Sequence, residues 1–420
     1  MKEWLKLDNA AKIFPSVSNH AATNLFSISF VLKEEINPTI LEEAVSVALE
    51  RFPYFKVKLC NGLFWYYLDE NKLEPHIQEE NPFLLELINR IDNRGYLFRV
   101  GYYRKKISLE VFHSLTDGYG AMQFIKSIVH AYLLMTGKII KDDHSLVLTD
   151  VETVREEYED AFLKNYDKTK KIPNRSFRAL HFKADKYTDD WVSVIIGSLK
   201  QDDLKPLLAK YNATVTQFLS AAIMVAASQN RHLFEKKKLP FQIIIPVNLR
   251  KYFPSKTLRN FSLIIGTKTD IDKKIPFEEA LEIVKGDFAR ELDKERLHAQ
   301  ITANVKFEKM FIMRIVPLFL KKIALKIGYA LVGTKPNSFC ISNLGKVEVP
   351  EDMVQYVDEV IFSNGVLKNV PMNMGVTGYN GKIFITISSS LIERTIQRDF
   401  FRLLTSFGLP VVLETNELEV

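Results

Sequence analysis

Within six residues, His113-Ser-Leu-Thr-Asp117-Gly118, the chain sets an imidazole, a carboxylate and a glycine in the order HxxxDG. A single histidine with no serine or cysteine nucleophile signature beside it points to a general base acting on an incoming substrate, not to a covalent triad. Asp117 has three readings: it orients the imidazole, it turns toward a cation, or it simply caps a following helix. His113 has its own plain reading, a satisfied structural histidine at a strand end. Gly118 and Gly120 also suggest a dinucleotide-binding turn, but Gln123 stands where the third glycine of that pattern belongs.

To be held usefully, these residues need a strand before them and a helix after them, and the pattern supplies both. Leu109 and Val111 alternate with Glu110 and Phe112, a strand period. Ala121, Met122, Ile125, Ile128, Val129, Tyr132 and Leu133 recur at helical spacing. Upstream, residues 24 to 32 read as a strand, and Asn37 with Pro38 opens a helix whose buried stripe runs from Leu41 to Phe52. Residues 96 to 104 and 106 to 112 read as a hairpin turning near Lys105. The polar, Lys-rich stretch from 138 to 176 is the expected crossover between lobes. Beyond it come a strand at 191–199, a capping box at Thr214 and Gln217, strands at 241–250 and 260–271, and one long helix from Pro276 to Leu297. Four more strands follow, one ending in the turn Ser342-Asn343-Leu344-Gly345, and then a final helix at 395–407 and a strand at 409–414.

The 420 residues favour two domains over one. A content of 47% hydrophobic and 26% charged residues is that of a globular protein, not a disordered one. The formal charge of +6 is scattered in short clusters without a basic stripe carrying interleaved aromatics, so no nucleic-acid partner is expected. Cys60 and Cys340 stand alone, with no histidine at metal spacing; neither a disulfide framework nor a metal site is expected, and a reducing cytoplasm fits. The N-terminus lacks the apolar run of a signal peptide. In the apolar segment 309–333, Arg314, Lys321, Lys322 and Lys326 interrupt any span. That segment reads first as amphipathic helix covering the core; peripheral contact with a membrane surface is the lesser reading and is not expected.

Several stretches, in order, resemble one family. HSLTDG at 113–118, PVNLR at 246–250, NFSLIIGTK at 260–268 followed by IPFEEAL, and SNLG at 342–345 look like motifs of the chloramphenicol-acetyltransferase-like superfamily, which includes condensation domains and HxxxDG acyltransferases. LDNAAKIFPS at 7–16, RFPYFKVKL at 51–59 and RDFFRLL near the end are similar to the alcohol acetyltransferase type. The resemblance implies an α+β fold of two acetyltransferase-like lobes, residues 1–165 and 166–420, set in a V with a tunnel between them. It implies an acyltransferase moving an acyl group from acyl-CoA, a co-substrate and not a bound cofactor, to an alcohol acceptor, without a covalent intermediate. His113 would be the general base, Asp117 would pair with Arg250 to shape the loop, Gly118 would keep the tunnel clear, and Ser342 or Asn343 would stabilise the oxyanion. Two departures bear on the substrates: condensation domains carry two adjacent histidines where Phe112 precedes His113 here, and the plant branch's DFGWG is absent. An acyl carrier protein as donor, or a non-catalytic module of the same fold, are the alternatives.

Overall fold

Asn37 begins the first long helix as its sequence context requires: its side-chain oxygen accepts from the backbone N–H of Thr39 and Ile40, and Pro38 fills the first turn, where no N–H is needed. The computed structural model describes residues 4–20, 22–80, 85–89, 91–141, 145–147, 152–170, 178–188, 191–310, 315–328 and 335–416. In chain order the first half runs β1 (Leu5–Lys6), α1 (Phe14–Val17), β2 (Leu25–Leu32), α2 (Pro38–Arg51), β3 (Val57–Asn61), β4 (Tyr66–Glu70), β5 (Ile77–Glu79), β6 (Phe98–Tyr103), β7 (Lys106–Phe112) and α3 (Gly118–Met135). The second half runs α4 (Ala161–Lys164), β8 (Ser193–Lys200), α5 (Gln201–Lys210), α6 (Val215–Gln229), β9 (Phe241–Asn248), β10 (Ser262–Thr269), α7 (Phe277–Glu291), α8 (Lys294–Lys309) and α9 (Leu318–Gly328). It closes with β11 (Phe339–Lys346), α10 (Glu351–Val354), β12 (Val357–Asn364), β13 (Met372–Tyr379), β14 (Lys382–Ser389), α11 (Thr395–Ser406) and β15 (Val412–Thr415).

The architecture is α+β, with two large sheets, each packed against helices around its own apolar core. One sheet has the order β12-β2-β7-β6-β5; the other has the order β10-β9-β11-β13-β14-β8-β15; β1, β4 and β3 make a small third sheet. Helix α3 lies on the first sheet, and α6, buried along most of its length, lies within the second core.

Strand β12 is the joint. It comes from the C-terminal part of the chain, yet pairs antiparallel with β2, Val360 facing Phe30 and Phe362 facing Ile28. Its carbonyls are also bonded by the second sheet: Thr377 Oγ1 donates to Val360 O at 2.6 Å, and Thr386 Oγ1 donates to Phe362 O. Gly375 sits beneath it because a Cβ there would lie 2.2 Å from Phe362 O.

Two local expectations change. The single helix drawn from Pro276 to Leu297 is two, broken around Leu292, with Asp293 Oδ1 accepting from Arg296 N to start α8. Helix α9 does not turn its apolar face to the core. Lys321 points inward, donating to Phe64 O at 2.8 Å with its ammonium 3.8 Å from the centre of the Trp65 ring, while Phe319 and Ile323 face out. Parts of the 309–333 segment and of the 138–176 crossover lie outside the described residues. Among the described residues no helix is long and apolar enough to cross a membrane.

Candidate active site

His113 follows directly on β7, and its backbone is fastened from both halves of the chain. Its N–H donates to Asn24 O at 3.1 Å, and its carbonyl accepts from Asn260 Nδ2 at 2.9 Å. The next turn is fixed just as closely: Tyr54 Oη donates to Leu115 O at 2.5 Å, and Thr116 Oγ1 donates to Leu258 O. The imidazole lies between two phenyl rings, Phe14 at 5.2 Å and nearly parallel, Phe26 at 4.6 Å and tilted. Burial pushes its pKa down to about 4; the charge of Asp117 and hydrogen bonds with the Asn260 side chain and the Thr116 backbone oppose the shift without cancelling it. The ring is therefore neutral around pH 7, with a lone pair available.

Asp117 combines two of its three readings. Oδ1 caps α3, accepting from Tyr119 N and Gly120 N, both at 3.2 Å. Oδ2 accepts from Arg250 Nη1 at 2.8 Å and from Phe261 N at 2.9 Å. Arg250 in turn finds five acceptors for its five N–H groups: both Asp117 oxygens, Asn248 Oδ1, Thr257 O and Arg259 O. Its guanidinium also lies over the Tyr119 ring at 4.5 Å. A buried pair this fully bonded fixes geometry at a sharp angle between strand and helix.

Behind this pair sits a second layer that the motifs alone did not assign. Asp8 accepts from Ala11 N at 2.8 Å and from Asn260 Nδ2 at 3.2 Å, and lies 3.5 Å from the Arg259 guanidinium. Arg259 donates to Lys6 O and Tyr158 O and covers the Tyr54 ring. Asp8 and Phe14 belong to LDNAAKIFPS, Tyr54 to RFPYFKVKL and Asn260 to NFSLIIGTK, so these stretches meet under the His113 turn. Their recurrence as sequence stretches was the available signal; their convergence was not visible.

His113, Asp117, Gly118, Ser342 and Asn343 all line one cavity of about 730 Å³, with Tyr119 and Lys251 at its wall; Arg250 stands behind Asp117. The glycine at 118 makes room for a side chain from across the cavity, since a Cβ would come within 2.6 Å of Leu344 Cδ2. Asn343 is engaged at both ends, donating to Thr216 Oγ1 at 3.0 Å and accepting from Gly345 N at 2.8 Å. Ser342 has a loose contact, its hydroxyl 3.9 Å from the Cys340 sulfur. A second cavity of about 390 Å³ abuts Leu25 and Phe112, one residue before Phe26 and His113. It shares His20 and Leu87 with a third, of about 380 Å³, lined by Lys186, Trp191 and Leu367. Among the described residues no cluster of histidine, cysteine and carboxylate side chains could hold a metal ion.

A family model described as alcohol acetyltransferase matches residues 190–405, just over half of the sequence. The chain belongs to the alcohol acetyltransferase family. The matched region contains Arg250, Ser342 and Asn343, and it begins after His113. No curated protein matches the sequence. Solved structures share the fold over nearly the whole chain. Polyketide synthase associated protein 5 from Mycobacterium tuberculosis has a TM-score of 0.61 at 13% identity, covering 96% of this chain and 97% of the other. TRI101 of F. sporotrichioides has a TM-score of 0.63 at 11% identity, covering 99% and 100%. The epimerization domain of the third module of tyrocidine synthetase B has 0.59 at 10%, covering 97% and 96%. Like its family, this alcohol acetyltransferase-family chain is an acyltransferase, and the fold is that of chloramphenicol-acetyltransferase-like and condensation-domain proteins.

Proposed function

We propose that this acyltransferase transfers an acyl group from coenzyme A to an alcohol, with His113 as general base and no acyl-enzyme. The observation that carries the reading is the neutral imidazole of His113 on the wall of the 730 Å³ cavity, between Phe14 and Phe26. The acceptor O–H gives its proton to the imidazole as its oxygen bonds to the thioester carbonyl carbon. The tetrahedral oxyanion accepts a hydrogen bond from Ser342, the less committed of the two candidate donors. Collapse breaks the C–S bond, and the thiolate leaves with the proton from the imidazolium. A ring that resists holding charge returns its proton readily, which suits the second half of the cycle.

Support for the donor comes from the solved structures: TRI101 of F. sporotrichioides was captured with coenzyme A and T-2, and the starter condensation domain of rhizomide synthetase with C8-CoA. The cavity that His113 lines lies on the α3 side, and two smaller ones lie on the side of Phe112 and Leu367; a tunnel entered by donor and acceptor from opposite faces would join them. That tunnel would run between two lobes of a V, divided in sequence at 165/166 with β12 exchanged across the division.

The test is thiol release from a ladder of acyl-CoAs with a panel of alcohols, wild type beside His113→Ala. Loss of about 10² to 10⁴ in kcat/KM supports the base, and intact mass should show no acylated protein when the acceptor is left out. Full turnover in His113→Ala sinks the mechanism. Turnover only with a carrier-protein thioester would replace coenzyme A as the donor.

A further inference from the structure

Helix α9 wears its apolar residues outside. Phe319, Ile323 and Ile327 fall at i, i+4 and i+8 on one face, Phe319 65% and Ile323 57% exposed, with Leu320 beside them. The turn between β3 and β4 continues the patch with Phe64 and with Leu63, 72% exposed. The two segments are riveted together: Leu318 N donates to Leu63 O at 2.8 Å, and the inward Lys321 ammonium donates to Phe64 O. Because Lys321 is the rivet, the helix does not roll to hide its apolar face; that would expose the bond and bury the helix's other charges. Contiguous exposed apolar surface of this kind marks a contact surface.

Charge decides which contact. From Lys309 to Val347 the sequence holds basic residues and not one aspartate or glutamate. Lys322 and Lys326 flank the apolar stripe one turn apart, and the adjoining cavity of about 790 Å³ sets Lys6 among Trp4, Trp65 and Tyr67, while its Lys12 is ion-paired with Glu308 on the same wall. A second copy of the chain meeting this face symmetrically would set lysine against lysine. An anionic bilayer complements it in both respects: headgroups for the lysines, acyl chains for Phe319 and Ile323, and an interfacial layer suited to tryptophan and tyrosine. We propose that α9 and the β3–β4 turn dock this enzyme on an anionic lipid surface. The sequence favoured a helix covering the core; the outward face of α9 reverses that weighting.

The experiment is flotation of the full chain with vesicles of phosphatidylcholine, with and without phosphatidylglycerol, at low and high salt. Wild type should float with the anionic vesicles and be released by salt. Phe319→Glu with Ile323→Glu should weaken that partition about a hundredfold. Lys322→Gln and Lys326→Gln should each weaken it about fivefold, on anionic vesicles only. All four side chains lie outside the cores, so an unchanged melting curve separates lost docking from lost folding. The proposal is overturned by wild type that floats with neither vesicle, by double-glutamate protein that floats as well as wild type, or by light scattering showing a dimer that the double substitution dissociates.

Discussion

The two walls of the main cavity are built on different terms. On the His113 side, Asp117 and Arg250 leave hardly a donor unused, and Asp8, Asn260, Tyr54 and Thr116 hold the backbone behind them. On the Ser342 side, Asn343 is tied to Thr216 and Gly345, the Ser342 hydroxyl lies 3.9 Å from the Cys340 sulfur, and Gly345 turns the chain through a positive φ of 79°. His113 is thus held by side-chain bonds from several segments, whereas the facing wall is held by the backbone ladder of β11 with β13 and carries few side-chain bonds. Side-chain bonding is concentrated where the proposed general base needs a fixed position.

The sharpest way to break this contrast is Asp117→Ala, which strips the cap from α3 and leaves Arg250 buried without its carboxylate. A loss of about 3 to 5 kcal/mol in denaturant unfolding is expected, with Asp117→Asn milder because the amide keeps the cap. Ser342→Ala should do the opposite: kcat falls by about 10² if the hydroxyl meets the oxyanion, while the melting curve stays put. Equal loss of stability and rate in both variants would erase the distinction between the walls. Asn343→Ala should cost about 1 to 3 kcal/mol, the worth of its two side-chain hydrogen bonds, with kcat affected less than in Ser342→Ala.

The mildest probe is pH. With the His113 pKa lowered from 6.5 to about 4, the unfolded chain takes up a proton between these values that the folded chain refuses. This group's contribution therefore erodes stability as pH falls through that window and is neutral above it. Over the same range kcat/KM should hold its neutral-pH value to about pH 5, because the free enzyme's base is still unprotonated. An acid limb centred near 6.5 would mean that His113 is not the desolvated ring described above.

Much of this was legible beforehand because local rules and tertiary structure agree. Asn37-Pro38, the Thr214–Gln217 capping box and the hairpin turning at Arg104 and Lys105 each combine a turn or cap residue with the right hydrophobic period, and each forms where that combination places it. The Asp117–Arg250 contact followed from the family likeness, since 133 residues separate the partners and no periodicity joins them. The inversion of α9 was illegible: an apolar face with interspersed lysines gives the same pattern inside out, and only the Phe64 carbonyl and the Trp65 ring decide that Lys321 goes inward. The break at Leu292 was missed because Asp293 looks like one more polar residue of a long helix and not the start of a new one.

The exchange of β12 has a consequence for the order in which the protein comes into being. On the ribosome, the first half emerges with β2 as an open sheet edge and with His113 lacking Asn260 and Arg250, and its missing edge strand is among the last parts to be synthesised. The setting of His113 is therefore completed late in translation, and a chain released before residue 364 would carry the histidine motif with an unpaired sheet edge available to other chains.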